Sequence, residues 1–268
     1  MNLPLETHLS VAPIPHPRLS NDYVCCPQTG TIYYRNARQL DYNDRYFLEE
    51  YERQYGRTYF EDEPNLRNMS RRRLNRLRKY KQTGRLLELG CATGFFLDEA
   101  RTAGFTVEGI EVSNFAARYA REKLGLQVES RSILQREGDS LFDVIAAFYV
   151  IEHLPEQKSL FASIARLLKP GGYFLFALPG THGPTFHCDP EKWMNTHPAD
   201  HFVDYSPQSL RNVAGLYGMR LKAAWPASYH PDRACGWMGL RVLRPLYPWL
   251  ARRRCYGDTF EGILMKSR

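Results

Sequence analysis

Residues 86–97 read Leu86-Leu87-Glu88-Leu89-Gly90-Cys91-Ala92-Thr93-Gly94-Phe95-Phe96-Leu97. Arg85 to Leu89 is apolar apart from Arg85 and Glu88, as a buried strand would be. Phe96, Leu97, Ala100 and Ala103 then recur at helical spacing. Gly90 and Gly94 bracket the turn between the two. Glycine lacks a Cβ and tolerates positive φ, so backbone there can approach a ligand closely. Val107-Glu108-Gly109-Ile110 reads as a second parallel strand, and Glu111 closes it. An acid about 20 residues past the first glycine of such a turn can accept hydrogen bonds from ribose hydroxyls. Strand, glycine turn, helix and acid together point to a nucleoside cofactor.

A dinucleotide is the first rival. The G-x-G-x-x-G fingerprint needs a small third residue for close helix–strand packing. Counted from Gly90, the middle glycine is Ala92 and the third is Phe95, so a pyrophosphate cradle matches poorly. A purely structural glycine turn is the second rival, and the paired Glu111 argues against it.

Glu88-Leu89-Gly90-Cys91-Ala92-Thr93-Gly94 resembles the first motif of class I S-adenosylmethionine-dependent methyltransferases. Three further segments resemble that family in order and spacing. Phe142-Asp143-Val144-Ile145 through Glu152-His153-Leu154-Pro155 is similar to the fourth-strand motif. Leu167-Leu168-Lys169-Pro170-Gly171-Gly172 is similar to the turn before the fifth strand. His201-Phe202 through Ser206-Pro207-Gln208-Ser209-Leu210 is similar to the segment before the sixth strand in the branch that methylates small molecules, lipids and sugars.

The resemblance implies an α/β fold: a Rossmann-like, doubly wound, seven-stranded sheet with an antiparallel last strand. Alternation of strand and helix patterns from residue 84 onward independently suggests a parallel sheet with helices on both faces. The methyltransferase domain is expected over residues 70–268, with acceptor-cap insertions at 179–205 and 229–256. Residues 1–69 are expected to form an irregular N-terminal arm followed by an aromatic-rich lid segment. Tyr42, Tyr46, Phe47, Tyr51, Tyr55, Tyr59 and Phe60 crowd that segment.

Carried over position by position, the resemblance implies S-adenosylmethionine as cofactor. Gly90, Cys91, Ala92 and Gly94 would follow its methionine portion, with Glu88 near the amino end. Glu111 would hold the ribose hydroxyls, Val112 would line the adenine pocket, and Phe148 would sit near the reactive centre. An oxygen acceptor needs a base, and histidine has a suitable pKa. His153, after the fourth strand, is the first candidate and His201 the second; each could instead serve packing. Tyr149 could orient an acceptor hydroxyl. His187, His197, Asp189 and Asp200 share the 179–205 segment, where the acids are candidate partners.

No metal is expected. Some quinone-biosynthesis relatives use Glu-x-x-Glu-His here, and the aligned residues are Tyr149, Glu152 and His153, so the first carboxylate is missing. Tyr23 to Tyr34 is similar to the start of a zinc ribbon, but Cys25-Cys26 in tandem is poor ligand spacing.

The 268 residues, 43% hydrophobic and 24% charged, are those of an ordinary soluble globular domain. No run approaches the roughly 20 apolar residues of a membrane span. Met1 to His16 has no basic start and apolar core, so no secretory leader is expected. Six scattered cysteines do not suggest a disulfide framework, and a reducing, cytoplasmic setting is expected. The net charge of +7 allows attraction to phosphates or anionic lipid. Basic residues cluster at Arg71-Arg72-Arg73, Arg76 and Arg78, expected to be a solvated helix face with Leu74, Leu77 and Tyr80 inward. They cluster again among Trp237, Leu240, Leu243, Leu246, Trp249 and Leu250, where 237–254 could cap an acceptor or rest on a membrane.

The leading expectation is methylation, favouring an oxygen, of a small-molecule, lipid-linked or sugar acceptor. A nucleic-acid (RNA) acceptor is the second reading; the charge supports it, and the absence of an Asn-Pro-Pro-Tyr-type tetrapeptide at Phe148-Tyr149-Val150-Ile151 opposes it. A non-catalytic S-adenosylmethionine-binding scaffold is the third.

Overall fold

In a computed structural model, residues 6–40, 49 and 51–268 are described, apart from the side chains of residues 54 and 55. Tyr42, Tyr46 and Phe47, and the side chain of Tyr55, therefore lie outside the described residues. The chain runs β1 (Ile14–Pro15), β2 (Tyr23–Cys25), β3 (Ile32–Tyr34), α1 (Tyr51–Tyr55), α2 (Glu63–Leu77) and β4 (Gly84–Leu89). There follow α3 (Phe95–Thr102), β5 (Phe105–Ile110), α4 (Asn114–Leu124), β6 (Val128–Glu129), β7 (Phe142–Phe148), α5 (Gln157–Leu167) and β8 (Leu168–Pro179). The last elements are α6 (Pro184–Cys188), α7 (Pro190–Thr196), β9 (Val203–Asp204), α8 (Pro207–Leu216), β10 (Met219–Pro226), α9 (Tyr247–Arg254) and β11 (Thr259–Lys266).

Seven strands form one sheet in the order β10-β11-β8-β7-β4-β5-β6. β4 pairs in parallel with β5 and β7, and β10 with β11 antiparallel, as expected. The strand order reverses at β4, and in open α/β sheets ligands bind outside the carboxyl ends of strands at such a reversal. A second sheet has the order β1-β2-β3-β9. Contacts divide the chain into two compact units. One comprises the described part of Leu40–Ala147 with Arg166–Leu175; the other, the described part of Met1–Gln39 with Phe148–Ala165 and Phe176–Ser267.

In the unit built on β4, apolar residues bury as their spacing requires: Leu86, Leu87, Leu97, Ala100, Phe142 and Val144 are each inaccessible. Leu74 and Leu77 are buried on α2 as expected, but Tyr80 is 38% exposed. The helix ends at Leu77, so the 3.6-residue register does not reach Tyr80. Arg73 corrects the expected solvated face, since it is only 7% exposed. Tyr59 stacks on Phe95 with centroids 5.9 Å apart, and Phe60 packs against Tyr119 at 5.0 Å.

Gly94 caps the start of α3 with φ +86°. A Cβ there would lie 2.5 Å from Leu126 Cδ1 and 3.2 Å from Ala120 Cβ. Gly94→Ala should cost about 1–2 kcal/mol for the left-handed backbone alone, and more for the crowding. Urea unfolding measures it; an unchanged midpoint would contradict this account of the turn.

Asp143 faces Lys81 Nζ at 2.8 Å, Lys169 Nζ at 2.9 Å and the Arg85 N–H at 2.9 Å. Burial pushes its carboxyl up, but these partners win and hold it down, from 3.8 to about 2. A depressed carboxyl stabilises the fold above its unfolded pKa and loses that stabilisation as pH falls through the folded one. Stability should therefore drop between pH 3.8 and about 2. Asp143→Asn should remove that part of the acid transition in a circular-dichroism titration.

In the other unit, residues 6–20 are largely irregular as expected, yet tied down. His8 is buried, with ring nitrogens 2.6 Å from Tyr205 Oη and 3.1 Å from Tyr217 Oη. The 179–205 stretch, expected as an acceptor-cap insertion, holds α6, α7 and β9. Prolines at the helix starts and Asp189, which accepts from the Lys192 N–H, set α7 going. The expectation of no disulfide is corrected by a Cys188–Cys235 bond, which joins α6 to the 229–256 insertion. Sequence spacing hides it because 47 residues separate the two. In that insertion Met238, Tyr247, Ala251 and Tyr256 form a small core. Trp237, Leu240, Leu246 and Trp249 of its expected apolar face stay exposed. Among the described residues no helix is long and apolar enough to cross a membrane.

Candidate functional site

The turn after β4 satisfies its own backbone. The N–H groups of Gly90 and Cys91 donate to the Ile110 carbonyl at 2.8 and 3.1 Å, and the Gly94 N–H donates to the Cys91 carbonyl at 2.8 Å. The Ala92 N–H donates to Glu111 Oε2 at 2.8 Å. Gly90 at φ +64° and Ala92 at +48° are the left-handed positions that fold the chain this tightly. A phosphate cradle needs such N–H groups aimed at the anion. Here they are spent internally, which suits a ligand without phosphates.

Glu111 is 5% exposed. Besides the Ala92 N–H, its carboxylate accepts the Ser113 N–H at 2.8 Å on Oε1. Burial raises its pKa against these hydrogen bonds. A carboxylate has about four acceptor sites, so each oxygen keeps capacity for a hydroxyl. Glu88 is 4% exposed, and its Oε2 has no hydrogen-bond partner among the described residues. Burial pushes its carboxyl well up, while the Arg73 charge opposes this. Thr93 Oγ1 is likewise buried without a hydrogen-bond partner. An acceptor left open on Glu88 suits the ammonium group of an amino-acid moiety, and the clamped Glu111 suits a ribose diol. The residues present thus fit S-adenosylmethionine. Cys91 is buried, and a Cβ on Gly109 would lie 2.6 Å from its Sγ, so only its backbone is available to a ligand. Val112, next to Glu111 in sequence, is 65% exposed.

The other unit carries the histidines. Phe148 is half-buried at the end of β7. Tyr149 follows at φ +58°, a left-handed backbone rare for a bulky residue, with its N–H on the Ala177 carbonyl at 2.8 Å. Strained backbone of this kind gathers at functional sites. A 3-10 turn, Ile151–His153, then presents Glu152 and His153. The Phe202 N–H donates to the Glu152 carbonyl at 2.8 Å, binding the segment before α8 to this turn.

His153 and His201 come together, ring centroids 4.7 Å apart and nearly perpendicular. His153 Nδ1 lies 2.8 Å from Asp200 Oδ2. Burial lowers its pKa, but the Asp200 hydrogen bond and the Glu152 charge raise it above 6.5. Burial drives His201 down to about 4. His197 Nε2 contacts Asp204 Oδ2 at 2.8 Å. Asp200 is thus the partner of His153, while Asp189 caps a helix and His187 packs by Tyr256. Arg73, expected only as part of a solvated helix face, acts on Glu88; Glu152, expected only as part of an incomplete metal pattern, is buried; and Asp204 was not among the expected site residues. His197, Asp200, His201 and Asp204 fall within eight residues, a signal that was present in the chain.

The family model for a methyltransferase domain matches residues 55–223. A ubiquinone biosynthesis O-methyltransferase of Bordetella avium is 25% identical over 172 residues, covering 56% of this chain and 68% of that protein. One of Thiobacillus denitrificans is 32% identical over 100 residues, 35% of this chain and 43% of the relative. The magnesium protoporphyrin IX methyltransferase of Synechocystis, solved with bound SAH, superposes with TM-score 0.58 at 12% identity, covering 84% of this chain and 97% of that one.

Proposed function

The chain belongs to the class I S-adenosylmethionine-dependent methyltransferases, and from that premise we propose that it methylates a hydroxyl oxygen of a small or lipid-linked acceptor. The observation that carries the reading is Glu111, buried and clamped by the Ala92 and Ser113 N–H groups beside the Gly90–Gly94 turn. The relatives named O-methyltransferases support the oxygen acceptor.

When bound, the cofactor supplies an activated methyl group. Glu111 receives the ribose hydroxyls and Glu88 the amino group. The backbone of Gly90, Cys91, Ala92 and Gly94 follows the methionine portion, and Val112 lines the adenine. Phe148 excludes water near the reacting atoms. His153 takes the acceptor's hydroxyl proton on Nε2, because Asp200 holds the hydrogen on Nδ1. His201, its pKa near 4, is neutral and serves as a hydrogen-bond partner. Tyr149 orients the acceptor. Residues 70–268 are the catalytic domain, with 179–205 and 229–256 serving the acceptor.

Exposed Trp237, Val242, Leu246 and Trp249 lie among arginines, with Arg253 4.8 Å over Trp249 and Arg254 5.3 Å over Trp237. That mixture favours peripheral contact with an anionic membrane, where a lipid-linked acceptor would reside. Calorimetry with S-adenosylmethionine, S-adenosylhomocysteine and NAD tests the cofactor half; binding of the first two without NAD is expected. Turnover of hydroxylated acceptors with and without an apolar tail tests the other half. Transfer to nitrogen acceptors alone would refute the oxygen assignment.

A further inference from the structure

The Cys188–Cys235 bond ties α6 to a weakly built stretch of the 229–256 insertion. Between Cys235 and α9 the chain is a run of 3-10 turns, Gly236–Gly239 and Arg241–Leu246, with Pro231–Arg233 just before the cysteine. Such turns have poorer hydrogen-bond geometry than an α-helix. Of residues 231–246 only Met238 is buried, in a core of four with Tyr247, Ala251 and Tyr256. Beside the disulfide, Arg233 Nη1 lies 3.0 Å from Asp258 Oδ2, which also accepts the Thr185 hydroxyl of α6 at 2.8 Å. A half-exposed ion pair of this kind contributes little. Segments with few buried apolar contacts open locally before the rest of a domain does. The disulfide spans 47 residues, and in the chain-entropy account a cross-link over a long loop restrains the open state most.

The bond is also within reach of solution. Cys235 is exposed and Cys188 half-buried. Exposed disulfides are the ones that exchange readily with thiols. The chain's own thiols are poor attackers. Cys255, the insertion's other cysteine, is buried, and burial pushes its thiol up to about 12. Burial also raises the Cys25 thiol, and Cys26 and Cys91 are buried. A thiol that stays protonated is not a nucleophile, so the reductant comes from outside the chain.

We propose that Cys188–Cys235 is a reversible redox latch: an external dithiol opens it, and the 229–256 insertion then loosens from α6 while the sheets stay folded. One thiolate of the dithiol attacks Cys235 Sγ, the S–S bond breaks, and Cys188 leaves as a thiolate. The second thiol of the reductant then displaces Cys235 and closes the reductant into its own disulfide. Two electrons pass to the protein, and the two protons of the dithiol end on the two cysteines. The consequence rests on the reading that 179–205 and 229–256 serve the acceptor: the latch then sets how firmly the acceptor is held.

The test uses the full-length protein with dithiothreitol as the dithiol. Peptide mapping of the oxidised protein should find the 188–235 cross-link, and reduction under native conditions should add two reactive thiols per chain. Amide hydrogen exchange over residues 231–254 should then quicken about 30-fold or more, the change in open population that the lower end of a disulfide's usual stabilisation gives. Peptides from β4 and β7 should be unchanged. Cys235→Ser should exchange at the reduced rate with or without dithiothreitol. Should that variant fail to fold, wild type poised at graded ratios of reduced to oxidised dithiothreitol makes the comparison, its exchange following the fraction reduced. Unchanged exchange over 231–254 in fully reduced protein overturns the latch. So does exchange that quickens equally in β4 and β7, the mark of a bond that props the whole fold. Finding both cysteines as thiols in the oxidised protein overturns it as well. With a hydroxylated acceptor that is turned over, reduction should raise KM; equal KM in both states overturns the regulatory role. Affinity for S-adenosylhomocysteine, measured on the same samples, should not change on reduction. Its absence in both states would count against the cofactor reading and leave the latch standing.

Discussion

Glu111→Ala is expected to weaken binding of S-adenosylmethionine and S-adenosylhomocysteine by about 100-fold or more. Two hydrogen bonds to a charged carboxylate contribute about 1.5–3 kcal/mol each, and about 1.4 kcal/mol is tenfold in affinity. The variant does more than remove ribose contacts. It leaves the Ala92 and Ser113 N–H groups without their acceptor, so the turn itself loosens. A lower unfolding midpoint should accompany the lost affinity. Glu111→Asp keeps the charge and should bind better than Glu111→Ala. Isothermal calorimetry decides it: unchanged affinity in the alanine variant would show that the ribose is held elsewhere.

His153→Ala should reduce kcat by about 10²–10⁴-fold, the range for a positioned general base, while leaving cofactor affinity within a few-fold. The split matters because His153 lies on the unit that does not contain Glu88 and Glu111. Asp200→Asn should have a smaller effect in the same direction, since it removes the acceptor that fixes the imidazole tautomer. A His153→Ala enzyme with full kcat would remove His153 from proton transfer and leave the oxygen acceptor without its base.

Legibility followed the range of the interaction. The motif around Gly90 was readable because each part is local: an apolar strand, two glycines and an acid closing the next strand. Those parts also match a dinucleotide poorly, through Phe95 and Ala92 in place of small residue and glycine. Helix α2 was readable through Leu74 and Leu77, but not at Arg73. Arg73 is buried, and its charge acts on Glu88, contributed by another element. The Cys188–Cys235 bond was invisible for a similar reason, joining positions 47 residues apart in sequence. Tyr80 misled because periodicity says which face a residue takes only while the helix lasts.

By itself, then, the sequence determined the strand–turn–helix order and a nucleoside site, and through its resemblance to the methyltransferases it implied the seven-stranded sheet with its antiparallel end and the cofactor. Hydrophobic period and backbone permissiveness are properties of neighbouring residues. Only the tertiary structure decided that Asp200 holds His153, that His201 stands beside it, and that Glu152 is buried with neither oxygen hydrogen-bonded among the described residues. Those facts arise where the turn after β7 meets the segment before α8. Desolvation and charge coupling are fixed by what surrounds a group in space, and no spacing along the chain records them.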